Sequence, residues 1–533
     1  NKSAEPVSVA VSVSILFNEL GIGTALPEEV GPYYRLGEQT LMVYRGEKLG
    51  LLLPFVASMY NYDRVAFAEA VREKSGLTEP PYYWCRFDCT TWLADAEGVW
   101  PTAGGFLRVL RGAVVSSFTA DPENRLLDYG RLHARYLLKQ LRPDGSLYSA
   151  YDPFQNRLYE GVYLPRLAHA AWVLARSANV LGCDSEKLSC SDFGRELRDA
   201  ADRVIEHLIG TVTSEGDEVW LESGDETPSV AEIAFLLMAL CELPPSDPRR
   251  SLIKKLAKPL WASIDLHGRI STHRECDLSA DDAYQDYFPG QVLLALATAT
   301  EQATACERFQ FQAPSTKFQL QSSNLKDQRP KTQDQIQQAF RYYRHRFRYK
   351  RHFGQVSWLL QAFSKWWHVT HESAFAEFVF EITDWLLEYQ QEKVGAFIND
   401  HQAESPGYTT AVYLEGLAAA MGVSSSEFRV PSSEYNVAAD LEETPIGNRQ
   451  SAIGNSIKNE DRYRKYHDSF IAGYGFLDRL IIQERDRSIL PNIDSALGGL
   501  RQGTYYSHIR TDFVQHSLSA LLEFERGTRR KGT

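Results

Sequence analysis

A mainly α fold is what this sequence predicts: an (α/α)6 toroid of six helical hairpins behind a small N-terminal α+β domain. Three observations carry the expectation. The first hundred residues follow the two-residue period of strands, and the rest follow the period of helices. In the rest, apolar helices rich in Ala and Leu alternate with amphipathic ones through six repeats. Each amphipathic helix leads, through a polar segment with a glycine turn, into an apolar helix. The expected division is 1–100 for the α+β domain and 105–533 for the toroid.

In the first domain, VSVAVSVSILF, QTLMVYRGEKLGLLLP and YYWCRFDCTTWLA alternate like strands. Between them, YDRVAFAEAVREKSGL has helical spacing, with Asp63 as N-cap and Gly76 at its end. Cys85 and Cys89 share one face of a strand and read as packing residues. The run LMVYRGEKLGLLLPFVASMYNYDRVAFAEAVREKSGL, with YYWCRFDCTTW after it and VSVSILFNELG before it, resembles the C-terminal half of an AMMECR1 domain over residues 8–95. That family's N-terminal half, with its RGCIG-type segment, has no counterpart here, so the resemblance implies a fold and no site residues.

The apolar helices run from LPRLAHAAWVLARSANVLG to TDFVQHSLSALLEFE. Being apolar on most sides, they belong in an inner ring. The amphipathic helices, such as GRELRDAADRVIEHLIGTV, wrap outside. The hairpin count and local patterns over 105–525 resemble the six-hairpin glycosidase superfamily, which implies a glycoside hydrolase or a sugar epimerase.

A formal net charge of -12 argues against nucleic acid or an anionic membrane as the main partner. No apolar run is long enough to span a bilayer, and the alternating opening EPVSVAVSVSILF lacks the basic start of a leader. Seven cysteines without a CxxC set suit a reducing compartment, so a cytoplasmic protein is expected; a chain that starts at Asn1 leaves export open. No cofactor and no metal are expected: no phosphate-cradling glycine loop with a lysine appears, and His368 and His371 lack companion ligands.

The segments feeding the inner helices should open on one rim, where Asp152, Glu160, Asp281, Asp282, Asp286, Glu415 and Asp512 would converge. Each acid alone also reads as a helix cap. Paired carboxylates among aromatic faces are what glycosidic chemistry requires. The catalytic candidates are therefore Asp282, Asp512, Glu415 and His516, and the substrate-binding candidates are Asp152, Tyr151, Arg166, His169, Tyr287, Arg510 and Trp358. Glu415, on an Ala-rich inner helix, demands a partner such as Arg166 or Arg510, or a raised pKa. The expected function is hydrolysis of a saccharide by rim carboxylates. The alternatives are an epimerase, which would use a Tyr or His pair near C–H bonds, and a non-catalytic glycan- or peptide-binding scaffold. The basic run RYYRHRFRYKRH is a solvated helix end or faces an anionic sugar. Segments 311–333 and 430–461 read as polar insertions.

Overall fold

The computed structural model describes residues 11–94, 106–110, 113–115, 122–184, 189–215, 218–222, 227–274, 282–312, 329–398, 406–426, 446–487, 489–504 and 506–532. Among them, the first unit is a six-stranded antiparallel sheet: β1 Val11–Thr24, β2 Gln39–Arg45, β3 Lys48–Leu52, β4 Tyr83–Ala94, β5 Phe106–Leu110 and β6 Ala113–Val115. β2 and β5 share one edge of β4, and β1 runs along the other. β5 and β6 fall in the stretch that periodicity assigns to the helical part, yet they extend this sheet. Strands of five and three residues are too short for periodicity to register. The helix Arg64–Ser75 begins where Asp63 accepts a hydrogen bond from the Ala66 N–H at 2.8 Å, and it ends at Gly76 with φ +67°. It buries Phe67, Ala68 and Val71 with Leu41, Val43 and Trp84 of the sheet.

The rest is an (α/α)6 toroid. The outer helices are Leu126–Gln140, Asp192–Gly210, Asp247–Ala262, Arg329–Tyr349, Ser373–Leu387 and Ile446–Leu477. The inner helices are Leu164–Val180, Val230–Glu242, Phe288–Gln312, Phe353–Thr370, Thr409–Ser426 and Thr511–Gly532. Successive inner helices pack on one another, and the sixth packs on the first, which closes the ring. The second inner helix is buried from Val230 to Leu240, as its uninterrupted apolar run requires. The second outer helix instead turns one stripe inward, including Leu197, Ala201, Val204 and Leu208. Among the described residues, no helix is long and apolar enough to cross a membrane.

A repeated turn sets the spacing of the hairpins. After the first, third and fifth outer helices a β-bridge closes a short turn, Leu141 with Leu147, Ile264 with Ile270 and Gln390 with Phe397, and after the sixth Ile481 bridges Leu500 across a longer connection. Each turn carries a glycine at positive φ: Gly145, Gly268, Gly395 and Gly498. A side chain there would strike another outer helix; a Cβ on Gly395 would stand 2.0 Å from the Ala472 carbonyl oxygen, and one on Gly268 would stand 2.2 Å from Gln338 backbone. Gly395→Ala is therefore expected to destabilise the protein by about 2–4 kcal/mol, from left-handed strain plus overlap with fixed backbone. Urea denaturation reads this as a lower midpoint at unchanged slope.

Candidate active site

The inner helices deliver their first turns to one end of the ring, and there they enclose a cavity of about 810 Å³. Every inner helix contributes: Arg166 and His169 from the first, Phe235 from the second, Phe288 and Gln291 from the third, Trp358 from the fourth, Tyr413 from the fifth, and Asp512 and His516 from the sixth. Tyr284, Tyr287, Trp385, Tyr389 and Tyr408 complete an aromatic wall.

The floor joins residues remote in sequence. His516 Nδ1 lies 2.8 Å from Glu415 Oε2, and the rings of His516 and His169 are 5.0 Å apart. Phe235 and Trp358 pack against His169 at 4.7 and 5.7 Å between ring centres. Burial pulls the His516 imidazole down, but the Glu415 carboxylate outweighs it, so the pKa ends above the ordinary value of 6.5. Burial, with the nearby His516 charge and Arg176, holds His169 well below that value. The two imidazoles are thus pushed in opposite directions: Glu415 favours the protonated form of His516, and burial favours the neutral form of His169. Glu415 is fully buried, and its Oε1 has no hydrogen-bond partner among the described residues. His169, Glu415 and His516 each offer an atom within 4.8 Å of the others, the arrangement that could hold a metal ion. They sit on three helices, so no spacing in the sequence announces them.

The mouth is cationic. Arg510 holds Asp512 through two hydrogen bonds of 3.0 and 2.5 Å, and Arg166 Nε lies 3.2 Å from the same carboxylate. Tyr408 stacks on Phe513. The loop carrying Arg510 is tied down on both sides. Ile509–Arg510 pairs with Ala150 and Tyr151, and Tyr408 N–H donates to Gln502 O at 3.0 Å. From the first unit, Asn61 Oδ1 accepts from the Ser507 N–H at 2.7 Å, the Ser507 hydroxyl at 3.0 Å and the His508 N–H at 3.3 Å. Ser507 is fully buried. Asn61→Ala is expected to cost about 1–3 kcal/mol, because buried donors lose their acceptor. Hydrogen exchange should show faster exchange at the Ser507 and His508 amides.

The structure gathers Asp512, Glu415, His516, Arg166, His169, Tyr287, Arg510 and Trp358 in or directly beneath this cavity. It does not bring Asp282, Asp152 or Tyr151 there. Asp282 caps a short 3₁₀ helix, accepting from the Tyr284 N–H and from the Thr272 hydroxyl. Asp152 is buried in its turn, accepting from Phe154 and Gln155 N–H and pairing with His508 at 3.1 Å. Those contacts hold the Asp152 carboxyl below the usual range despite its burial. Tyr151 is buried, with its hydroxyl on Asn156 at 2.8 Å. Glu160 pairs with Arg142 at 3.7 Å, Asp286 is held by Arg346 and Gln355, and Asp281 lies outside the described residues. Glu415 has a histidine as its partner, where the sequence leads one to expect an arginine or a raised pKa. Sequence reasoning misses Gln291, Arg351 and Trp385 in the wall, because nothing distinguishes them from helix-face and loop residues.

No family model matches the chain. Protein MK0488 of Methanopyrus kandleri is 30% identical over 94 residues, which are 18% of this chain and 44% of that protein. The chain thus spans less than half the length of that relative. Among solved structures, an unsaturated glucuronyl hydrolase specific for heparin aligns over 76% of this chain and 98% of its own, at 10% identity and a TM-score of 0.47. A D-mannose isomerase aligns over 77% of this chain and all of its own, at 11% identity and a TM-score of 0.46.

Proposed function

We propose that the cavity belongs to a carbohydrate-active enzyme that moves a proton at a carbon beside a carbonyl, as a sugar isomerase or epimerase does. The observation that carries this reading is the unlike pair of imidazoles on the floor. Neutral His169 suits the base that takes the C–H proton. His516, whose protonated form Glu415 favours, suits the acid that protonates the carbonyl oxygen as the electrons of the C–H bond move toward it. Collapse of the enediol in the other direction returns both protons. Because the two rings stand side by side at 5.0 Å, they reach adjacent atoms on one face of a substrate, which favours a 1,2 shift over inversion.

Hydrolysis fits less well. It uses two carboxyl groups flanking the bond. Among the described lining residues Asp512 is the one carboxylate, and two guanidinium groups hold it. In this reading the aromatic wall packs on sugar ring faces, and the first unit, read as an AMMECR1-like half-fold, braces the loop before the sixth inner helix.

The test is incubation of the full chain with a panel of aldoses, ketoses and reducing disaccharides in D2O, followed by NMR. Deuterium entering at C2 is the expected result. Release of new reducing ends without deuterium at carbon would refute proton transfer and favour hydrolysis.

A further inference from the structure

We propose that the ligand of this cavity is a polyhydroxylated molecule bearing an anionic group, a phosphate or a carboxylate, with that group at the mouth and its hydroxyls toward the floor. The inference rests on the carbohydrate reading above and adds the charge and the orientation of the substrate.

The charge follows from the balance of the lining. Three guanidinium groups, from Arg166, Arg351 and Arg510, face the cavity against the single carboxylate of Asp512 among the described lining residues. Asp512 lies against Arg510 and Arg166 together, so one positive charge of that cluster is left uncompensated. Arg351 lies over the Trp385 ring at 5.9 Å; it acts on the Glu381 carboxylate only at longer range, behind the ion pairs that Arg344 and Arg348 make with it. Cations so placed are conspicuous in a chain of net charge -12.

The orientation follows from the floor. Gln291 and His169 line the cavity, both side chains are more than nine-tenths buried, and neither Gln291 Oε1 nor His169 Nε2 has a hydrogen-bond partner among the described residues. A buried acceptor without a donor costs free energy that a ligand hydroxyl recovers. A donor-rich mouth above a floor with unpaired polar atoms matches a sugar with its acid group outward and its hydroxyls inward. The arginines also resolve the basic run before the fourth inner helix. Arg346 and His352 serve Asp286, Arg344 and Arg348 pair with Glu381, and Arg351, farther from Glu381, lines the cavity.

Isothermal titration of the full chain with glucose 6-phosphate, D-glucuronate, inorganic phosphate and D-glucose tests this directly. One or both acidic sugars should bind at least about tenfold tighter than glucose, weaken in R351Q and R166Q by about tenfold, and weaken further between about 50 and 300 mM salt. Which acidic sugar binds tells phosphate from carboxylate recognition. Arg351 is exposed, so R351Q folds and its binding loss reports on the cavity. Equal binding of glucose and the acids, or acid binding unchanged in both variants, overturns the proposal. Acid binding that depends on the arginines, without deuterium uptake in D2O, leaves the anion site standing and removes the proton-transfer reading; deuterium uptake on neutral sugars alone does the reverse.

Discussion

His516→Asn should leave a folded protein whose carbon–hydrogen exchange in D2O is slower by about 10²–10⁴-fold, the contribution of one positioned acid or base. Asparagine keeps a polar group beside Glu415 and fills much of the imidazole volume, so the ring of helices should survive. The loss should fall on the chemical step more than on binding, since the aromatic wall and the arginines are untouched. The control is Asp282→Asn, which removes charge from a helix cap outside the cavity and should leave turnover nearly unchanged. If the two variants exchanged their effects, the assignment of the floor would be wrong.

Glu415→Ala should be the most destabilising single change at the site, by about 3 kcal/mol near pH 6, because it strands a charged imidazole in the core. The pH dependence has a definite sign. Glu415 raises the His516 pKa above its unfolded value near 6.5, so the pair stabilises the fold fully below that value. This contribution is lost as pH rises through the raised folded value. The difference between wild type and variant in urea denaturation should therefore shrink from pH 6 toward pH 9. His169 acts in the opposite sense. Its depressed pKa gives stability that is present above pH 6.5 and lost on acidification. Removing Glu415 should consequently leave a protein whose stability falls more steeply below neutral pH than that of wild type.

The helices are legible in the sequence because inner and outer helices differ in composition as well as period. Val230–Leu240 admits no face for water, whereas Asp192–Gly210 plainly has one. The rim is legible as a place, because segments leading into inner helices must open on one end. Which acids reach the cavity is not legible. Asp282 and Asp152 stand just ahead of helices or in turns, where an acid that caps and an acid that reacts occupy the same kind of position, and only the direction of the side chain separates them. The need of Glu415 for a partner can be read from its apolar helix, but not the partner's identity, since His516 lies 101 residues away. Sheet strands β5 and β6 escape for a different reason: they are short, and their pairing is with a strand read long before them.

Asn61 makes the two units one thermodynamic system. Its carbonyl fixes the backbone just before Arg510, and Arg510 positions Asp512 at the mouth. If a ligand that orders the mouth strengthens these bonds to Asn61, the cap of the helix Phe55–Tyr60, then linkage requires that strengthening them from the other side raise affinity at the cavity by the same factor. The small sheet is then a handle on the large ring: a protein or peptide that engages it could tune the toroid without ever entering it.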